Sequence, residues 1–234
     1  MDDSKCKRPQ IIKDKFISSL IGSFGISLVV AYSFSITSFS VYITLYIHEK
    51  QKFVSMYYGL FFNLINSISM TFGMSFAGFL ELKVGFYFTN LIALSMILIS
   101  NVFFYYIQNI WITYMLLLLM ATGSGMVNSL TSKNIVLYKP NKKALIVSLV
   151  SALKIILGEI LSIEGEKIIN PDGYTLKMNE EYYDYKYSSR THLYISIGFF
   201  HIPLGMLLFF LFTIEFKKNY SFEEKKNNNT RRNK

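Results

Sequence analysis

The sequence predicts an all-α, polytopic membrane protein with about six transmembrane helices, on three observations. Apolar residues are concentrated in about six blocks, each long enough to cross a bilayer whose hydrocarbon core is about 30 Å thick. Hydrophobic residues make up 52% of the 234 residues, and the mean hydropathy is +0.33. Charged residues make up only 17% of the chain, too few to cover the surface of a soluble domain of this size.

The apolar blocks define the order of the elements. The first covers 16–47, which exceeds one span, so we expect it to tilt or to extend beyond the bilayer. The segment Glu81–Gly85 is predicted as a tight polar turn between the second and third spans. A basic arm at 1–15 precedes the transmembrane domain, 16–214, and a polar, disordered tail at 215–234 follows it. The remaining spans are predicted at 55–80, 86–106, 112–132, 144–163 and 192–214.

The distribution of charge predicts the orientation of the spans. The net charge is +9, and lysine and arginine are concentrated in the arm, in 133–143 and in the tail, whereas acidic residues gather at 164–184. The positive-inside rule therefore places both termini in the cytoplasm and the loop 164–190 on the non-cytoplasmic side. Such asymmetry is typical of an oriented membrane protein, so we expect a lipid bilayer and no nucleic acid as partner.

The sequence contains no recognisable catalytic or metal-binding pattern. Cys6 is the only cysteine, and the three histidines, His48, His192 and His201, are far apart. No paired-histidine metal spacing, glycine-rich phosphate loop or nucleophile elbow is present. We therefore expect no enzymatic activity, no metal and no cofactor.

A lysine near the middle of the fifth span requires an explanation. Placing Lys154 there costs about 2.5–3.5 kcal/mol on insertion scales, so its side chain is expected to face the bundle interior or a wet cavity. Three roles remain open: contact with an anionic substrate, pairing with a carboxylate elsewhere, or snorkelling to an interface. Glu159 is a poor partner because it lies about 140° further around the helix, and we expect it to be hydrated or paired nearer the membrane edge.

Polar and aromatic residues recur at helical spacing in two spans. They are Tyr32, Ser35, Phe39 and Tyr42 in the first span, and Asn63, Asn66, Met70, Gly73 and Ala77 in the second. An asparagine in hydrocarbon needs a hydrogen-bond partner, so these faces contact either other helices or a central substrate path. Under the second interpretation the candidates for cavity lining are Tyr32, Tyr42, Asn63, Asn66 and Lys154. Small residues at Gly123, Gly125 and Gly158 are predicted to be helix-packing positions.

Four features together resemble a known transporter family. They are Ser33–Ile47, at the end of the first span; Gly78–Gly85, between the second and third; the pair Gly123 and Gly125 in the fourth; and 138–143 with Ile169-Asn-Pro171, flanking the fifth. In these features the chain resembles the N-terminal six-helix half of a major facilitator superfamily transporter. The closest resemblance is to the oxalate/formate antiporter and monocarboxylate-transporter branch.

This resemblance implies one half of a major-facilitator-type bundle that transports a small organic anion such as a monocarboxylate. Gly78, Lys83 and Gly85 then belong to a gating loop, although Leu82 stands where the family has an aspartate. Because a facilitator holds its substrate between two halves, the implied partner is a second copy of this chain or a separate half. The alternative is a degenerate or truncated six-span protein that does not transport and acts as a scaffold or partner subunit.

Overall fold

The computed structural model describes residues 8–136, 140–171 and 190–211, which are helical almost throughout and contain no strand. The predicted all-α class is confirmed. Six helices in this part of the chain are long and apolar enough to cross a membrane, as the multi-pass prediction requires. The spans are Ile17–Ser38, Tyr57–Val84, Phe86–Phe104, Ile110–Lys133, Lys143–Ile169 and Arg190–Leu211.

The described residues form seven α-helices, and all of them except the second contain one of these spans. They are α1 (Arg8–Ser38), α2 (Ser40–Lys50), α3 (Leu60–Val84), α4 (Phe86–Phe104), α5 (Ile110–Val136), α6 (Lys143–Ile169) and α7 (Arg190–Leu211). Because α1 begins at Arg8, the helix extends into the segment predicted as a polar arm. Most of the predicted loop 164–190 and all of the predicted tail 215–234 lie outside the described residues.

The first apolar block divides into two helices at Phe39 instead of forming one long tilted span. The Phe39 N–H donates to the carbonyl of Ile36, 3.1 Å away, as in a tight turn. Just before the break, the hydroxyls of Ser35 and Thr37 donate to carbonyls three residues back, at 2.8 and 2.7 Å. Hydroxyls that bond to the backbone of their own helix compete with its ladder and bend it. The serine- and threonine-rich composition of this block therefore explains its division.

The predicted polar turn Glu81–Gly85 is wrong except for its last residue. Helix α3 continues through Val84, and α4 begins at Phe86. Gly85 alone joins them, with a φ of 85°, a conformation that a residue with a Cβ adopts only at a cost. The charged residues of this segment therefore lie on the last turn of a helix and not in a loop.

Helix α1 is the centre of the bundle. In its most apolar stretch 72% of the residues are buried, compared with 22% for α6. The Tyr32 hydroxyl contacts α4 and α7, and the Ser124 hydroxyl of α5 donates to Ser33 Oγ at 2.8 Å. On another side Gly158 of α6 faces the carbonyl of Ala31. Helices α4, α5, α6 and α7 therefore all contact α1.

Hydrogen bonds and one ion pair show which helix ends lie together. At one end, the Ile110 N–H donates to Gln51 Oε1 at 3.1 Å, and the Tyr114 hydroxyl donates to the Tyr58 carbonyl at 2.7 Å. At the other end, Lys133 Nζ of α5 lies 2.7 Å from Glu81 Oε2 of α3. Thus α3 and α5 run in the same direction, as expected when successive spans cross the bilayer alternately.

Glycines set the closest helix contacts. A Cβ added to Gly73 of α3 would overlap the backbone of Thr122, and one added to Gly125 of α5 would overlap the backbone of Met70. The two helices thus cross in backbone contact, as small residues allow in membranes. A Cβ on Gly123 would lie 2.7 Å from the Ala93 carbonyl oxygen of α4. Gly123 and Gly125 therefore pack against opposite neighbours of α5.

Candidate functional site

The side chain of Lys154 is buried in the bundle, with 5% of its surface exposed. Lys154 lies two residues from the midpoint of the 27-residue α6, about 3 Å along the helix axis. Its neighbours on the inward face of α6 include Val150, Gly158 and Leu161. A cationic side chain therefore lies near the middle of a helix long enough to cross a membrane, against a largely apolar face.

The partner of Lys154 is a neutral amide. Lys154 Nζ donates a short hydrogen bond to Oδ1 of Asn128, a half-buried residue of α5. No carboxylate among the described residues forms an ion pair with it, and Glu159 is exposed on a different side of α6. The ammonium group thus has a hydrogen-bond acceptor but no counter-charge in the described part of the chain. A buried charge in this condition favours a negatively charged partner.

Tyr32, the second cavity candidate, is fully buried in a contact between helices. Its hydroxyl lies 2.9 Å from Asn101 Oδ1 of α4 and 3.1 Å from the Ile195 carbonyl oxygen of α7. Its ring stacks on that of Tyr194, with the centroids 6.1 Å apart. The Asn101 Nδ2 atom is buried and has no partner among the described residues. Tyr32 therefore joins three helices and lines no open cavity.

The rest of the predicted face on the first span also contacts protein. The hydroxyls of Ser35 and Tyr194 share a short hydrogen bond, and the Phe39 ring meets that of Tyr194 edge-on, with the centroids 4.5 Å apart. Further along, Asn170 Nδ2 donates to the Tyr42 hydroxyl oxygen at 3.4 Å. The shared face predicted from spacing thus exists, and the neighbours that cover it are α7 and the end of α6.

Three glycines allow α1 and α7 to approach closely. A Cβ on Gly25 would lie 2.7 Å from the Gly205 carbonyl oxygen, and one on Gly198 would overlap the Tyr32 ring. We call this contact the α1–α7 seam. It comprises Gly25, Tyr32, Ser35 and Phe39 of α1 with Tyr194, Gly198 and Gly205 of α7.

The two asparagine candidates of α3 differ in burial. Asn66 is buried on the face of α3 that packs in the bundle, whereas Asn63 is exposed. Three residues turn a helix by about 300°, so the two side chains point about 60° apart. Thr71 and Ser75 are also exposed, but their hydroxyls donate to carbonyls four residues back at 2.9 and 3.3 Å. The predicted substrate path therefore keeps Asn66 and Lys154 inside the bundle and leaves Asn63 outside.

The predicted gating segment lies at one end of the bundle. Gly78 has open space around it, and Lys83 Nζ lies 4.5 Å from the centroid of the Phe79 ring. The ion pair between Glu81 and Lys133 ties the end of α3 to that of α5. The charged contacts of this segment are therefore made within the six-helix unit.

Sequence reasoning missed Asn101, Asn128 and Tyr194, which supply the partners of the predicted candidates. Asn101 and Asn128 are amides inside apolar spans, the same signal that marked Asn63 and Asn66, but neither lies in a polar stripe. Tyr194 gives no distinct signal because aromatic residues make up 17% of the chain.

The described residues offer no better candidate of two other kinds, a metal site or an apolar pocket. No group of three or more histidine, cysteine, aspartate or glutamate side chains is placed to hold a metal ion there. An open hollow on α3 and α5 is lined by apolar and aromatic side chains, among them Ile65, Trp111 and Met115. No cationic side chain lines this hollow, so Lys154 with Asn128 is the better candidate for binding an organic anion.

No known protein family, curated protein or solved structure matches the chain. The resemblance to the major facilitator superfamily therefore stays a prediction that rests on the sequence motifs. The functional argument depends on the geometry alone.

Proposed function

We propose that this protein forms one wall of a membrane transport path for a small organic anion, such as a monocarboxylate, and that Lys154 binds the carboxylate. One observation carries the proposal: a lysine at mid-membrane depth is 5% exposed and has only a neutral amide as its partner among the described residues. Ionisable residues inside membrane spans commonly mark the paths of ions and substrates.

The chemistry of the pair suits a carboxylate. A lysine ammonium group has three N–H donors, of which Asn128 occupies one, so two remain for the oxygen atoms of an anion. Hydrogen bonds between charged groups are about twice as strong as neutral ones. The low dielectric of the membrane interior strengthens the attraction further, because water does not screen it.

One six-helix unit supplies only one wall of a facilitator-type path. In such proteins the substrate lies near the bilayer midplane between two units, which rock about it. Lys154 lies at that depth. Under the proposal, a second copy of this chain or a separate half supplies the opposite wall, and both termini lie in the cytoplasm.

The test is uptake of labelled monocarboxylates and oxalate by liposomes that contain the full chain. Lys154→Gln keeps a hydrogen-bonding group near Asn128 but removes the charge, whereas Lys154→Arg retains it. We expect Lys154→Gln to reduce uptake about 10- to 150-fold, the equivalent of about 1.5–3 kcal/mol for a charged hydrogen bond. Lys154→Arg should retain more uptake than Lys154→Gln.

A matched control removes a lysine of a different environment. Lys133→Gln deletes an exposed cation that pairs with Glu81 at the bundle end, and it should leave uptake within about twofold. Equal losses in the two glutamine variants would contradict a specific role for Lys154. Absence of uptake of every carboxylate by the folded wild-type chain would overturn transport by this chain alone.

The burial of Tyr32 favours a second candidate function, that of a non-transporting partner subunit. Two of the five cavity candidates, Tyr32 and Asn63, line no common interior space with Lys154. A scaffold of this kind would show no uptake in liposomes and would instead change the activity of a co-reconstituted transporter.

A further inference from the structure

A histidine joins three elements at the bundle end opposite the pair of Glu81 and Lys133. His192, near the start of α7, meets the Tyr46 ring of α2 edge-on, with the centroids 4.3 Å apart. The Tyr105 ring, just after α4, also meets it edge-on, with the centroids 5.4 Å apart. We call these three side chains the His192 contact.

The three histidines of the described residues differ in what surrounds Nδ1. In His48 this atom lies 2.6 Å from the Val54 carbonyl oxygen, and in His201 it lies 3.0 Å from the Ile197 carbonyl oxygen. A carbonyl oxygen only accepts, so this network places a hydrogen on Nδ1 in both rings. In His192 the Nδ1 atom is buried and has no hydrogen-bond partner among the described residues.

Protonation therefore has different consequences at the three positions. A charged imidazole carries a hydrogen on both ring nitrogens. In His48 and His201 the added proton goes to Nε2, which is not among the buried atoms without a partner. In His192 the charged form leaves a buried N–H at Nδ1 without an acceptor among the described residues, and such a group opposes burial. The His192 contact therefore favours the neutral ring.

The charged groups around His192 act in the same direction. Lys50, at the end of α2, is close enough to repel a charged ring. On α7 itself, Arg190 adds a second cation two residues away. No carboxylate of the described residues forms an ion pair with His192, and the exposed Glu164 of α6 acts on Tyr194 instead.

The tyrosines of the contact supply no counter-charge. The phenols of Tyr46 and Tyr105 are neutral well beyond the range in which a histidine titrates. Their rings attract a cation by about 0.5–2 kcal/mol, which is comparable with the cost of one unsatisfied buried donor. The repulsion from Lys50 therefore decides the direction, and a charged His192 weakens the contact.

We propose that the His192 contact is a pH-sensitive switch: the neutral ring holds the start of α7 against α2 and the end of α4, and protonation separates them. An unperturbed histidine changes charge near pH 6.5, within the range of cellular compartments. Under the predicted orientation, the switch responds to the pH on the non-cytoplasmic side. The proposal does not depend on transport, because it concerns only the packing of this bundle end.

Neighbouring contacts limit the movement to the start of α7. Helix α2 stays attached because the Gln51 Oε1 that follows it accepts from the Ile110 N–H, a bond without a titratable group. Further along α7, the hydroxyls of Tyr194 and Ser35 share a hydrogen bond that is likewise insensitive to pH in this range. We therefore expect α7 to separate only up to Tyr194.

The first test measures the free energy of unfolding of the full chain by SDS titration in mixed micelles at about pH 7.5 and about pH 5.5, on either side of the ordinary histidine value. The contribution of His192 is present above about pH 6.5 and is lost as the pH falls, because the unfolded chain binds the proton more readily. We expect the unfolding equilibrium constant to rise about three- to tenfold on acidification. His192→Phe keeps an aromatic ring that cannot be protonated, and it should abolish this rise.

Matched controls remove the other two histidines. His48→Gln and His201→Gln each delete a ring whose Nδ1 has an acceptor, and both variants should retain the rise. The proposal is overturned if the rise persists in His192→Phe, disappears in either control, or is absent from the wild-type chain. Greater stability of the wild-type chain at the lower pH would also contradict it, since the tyrosine rings would then hold the cation.

The second test needs no substitution of His192. Spin labels at Phe53→Cys, beyond α2, and Leu193→Cys, on α7, occupy positions that are 62% and 57% exposed. Cys6→Ser removes the native thiol. Double electron–electron resonance should show a population at longer distance at the lower pH, which disappears when the higher pH is restored. Identical distance distributions at the two pH values would refute the proposed separation.

Discussion

The α1–α7 seam is built from residues similar to those of one exposed face of α6, formed by Ala144, Ser148 and Ala152, which we call the α6 face. The two differ in what covers them. Both combine small residues with hydroxyls. In the seam, Ser35 bonds to Tyr194, and Gly25 lies against Gly205. On the α6 face, Ala144, Ser148 and Ala152 are exposed. The difference teaches that small and hydroxyl-bearing residues at helical spacing do not by themselves predict close packing, which depends on whether another helix covers them.

Gly25→Leu should have the largest effect on the free energy of unfolding, because it disrupts the packing of the α1–α7 seam. The added side chain would collide with the Gly205 carbonyl and Leu208, and overpacking costs about 1–3 kcal/mol or more. The matched change on the open side, Ala152→Leu, should alter the free energy of unfolding of the monomer by less than about 0.5 kcal/mol. Unfolding by SDS titration in mixed micelles measures both. Equal losses would mean that the α6 face is covered within one copy.

The double substitution Lys154→Met with Asn128→Leu should separate the contribution of this pair to the stability of the protein from its contribution to anion uptake. Replacing a buried charge and its polar partner by apolar residues of similar volume is often neutral or stabilising by about 1–4 kcal/mol. We therefore expect an unchanged or higher free energy of unfolding together with loss of anion uptake. A large loss of stability would instead identify the pair as a structural contact.

Of the three changes, Tyr32→Phe should alter the free energy of unfolding least. It removes the hydroxyl near Asn101 and the Ile195 carbonyl, and interhelical hydrogen bonds in membranes contribute about 0.6 kcal/mol on average and about 1.7 at most. Because it leaves the buried Asn101 amide without a partner among the described residues, adding Asn101→Leu should restore part of the loss. A double-mutant cycle in the same titration measures this coupling. Strictly additive effects would show that the two side chains do not interact.

The sequence predicts the number and position of the spans well, because hydropathy is a local property. The bounds of the helices are less predictable. The division at Phe39 depends on serine and threonine hydroxyls that bond to nearby carbonyls, which hydropathy does not register. Helix α3 extends through Glu81, whose carboxylate pairs with Lys133, a residue distant in sequence.

The candidate site is predictable only in part, for a geometric reason. Helical spacing places Tyr32, Ser35 and Phe39 on one face, but it does not say that α7 covers that face. Likewise, the position of Lys154 in an apolar block predicts that it is buried, whereas its partner, Asn128, depends on how α5 and α6 pack. Helical spacing also predicts the wrong environment for Asn63. Its side chain points about 60° away from that of Asn66, which is enough to leave it exposed.

The single residue between α3 and α4 has a consequence for biosynthesis. With only Gly85 to join them, the last turn of one helix and the first turn of the next leave the bilayer at the same point. No loop is available to hold one helix in water while the other crosses the membrane. We therefore expect the two helices to enter the lipid together as a hairpin during synthesis, with α3 reaching its final depth only after the ribosome has completed α4.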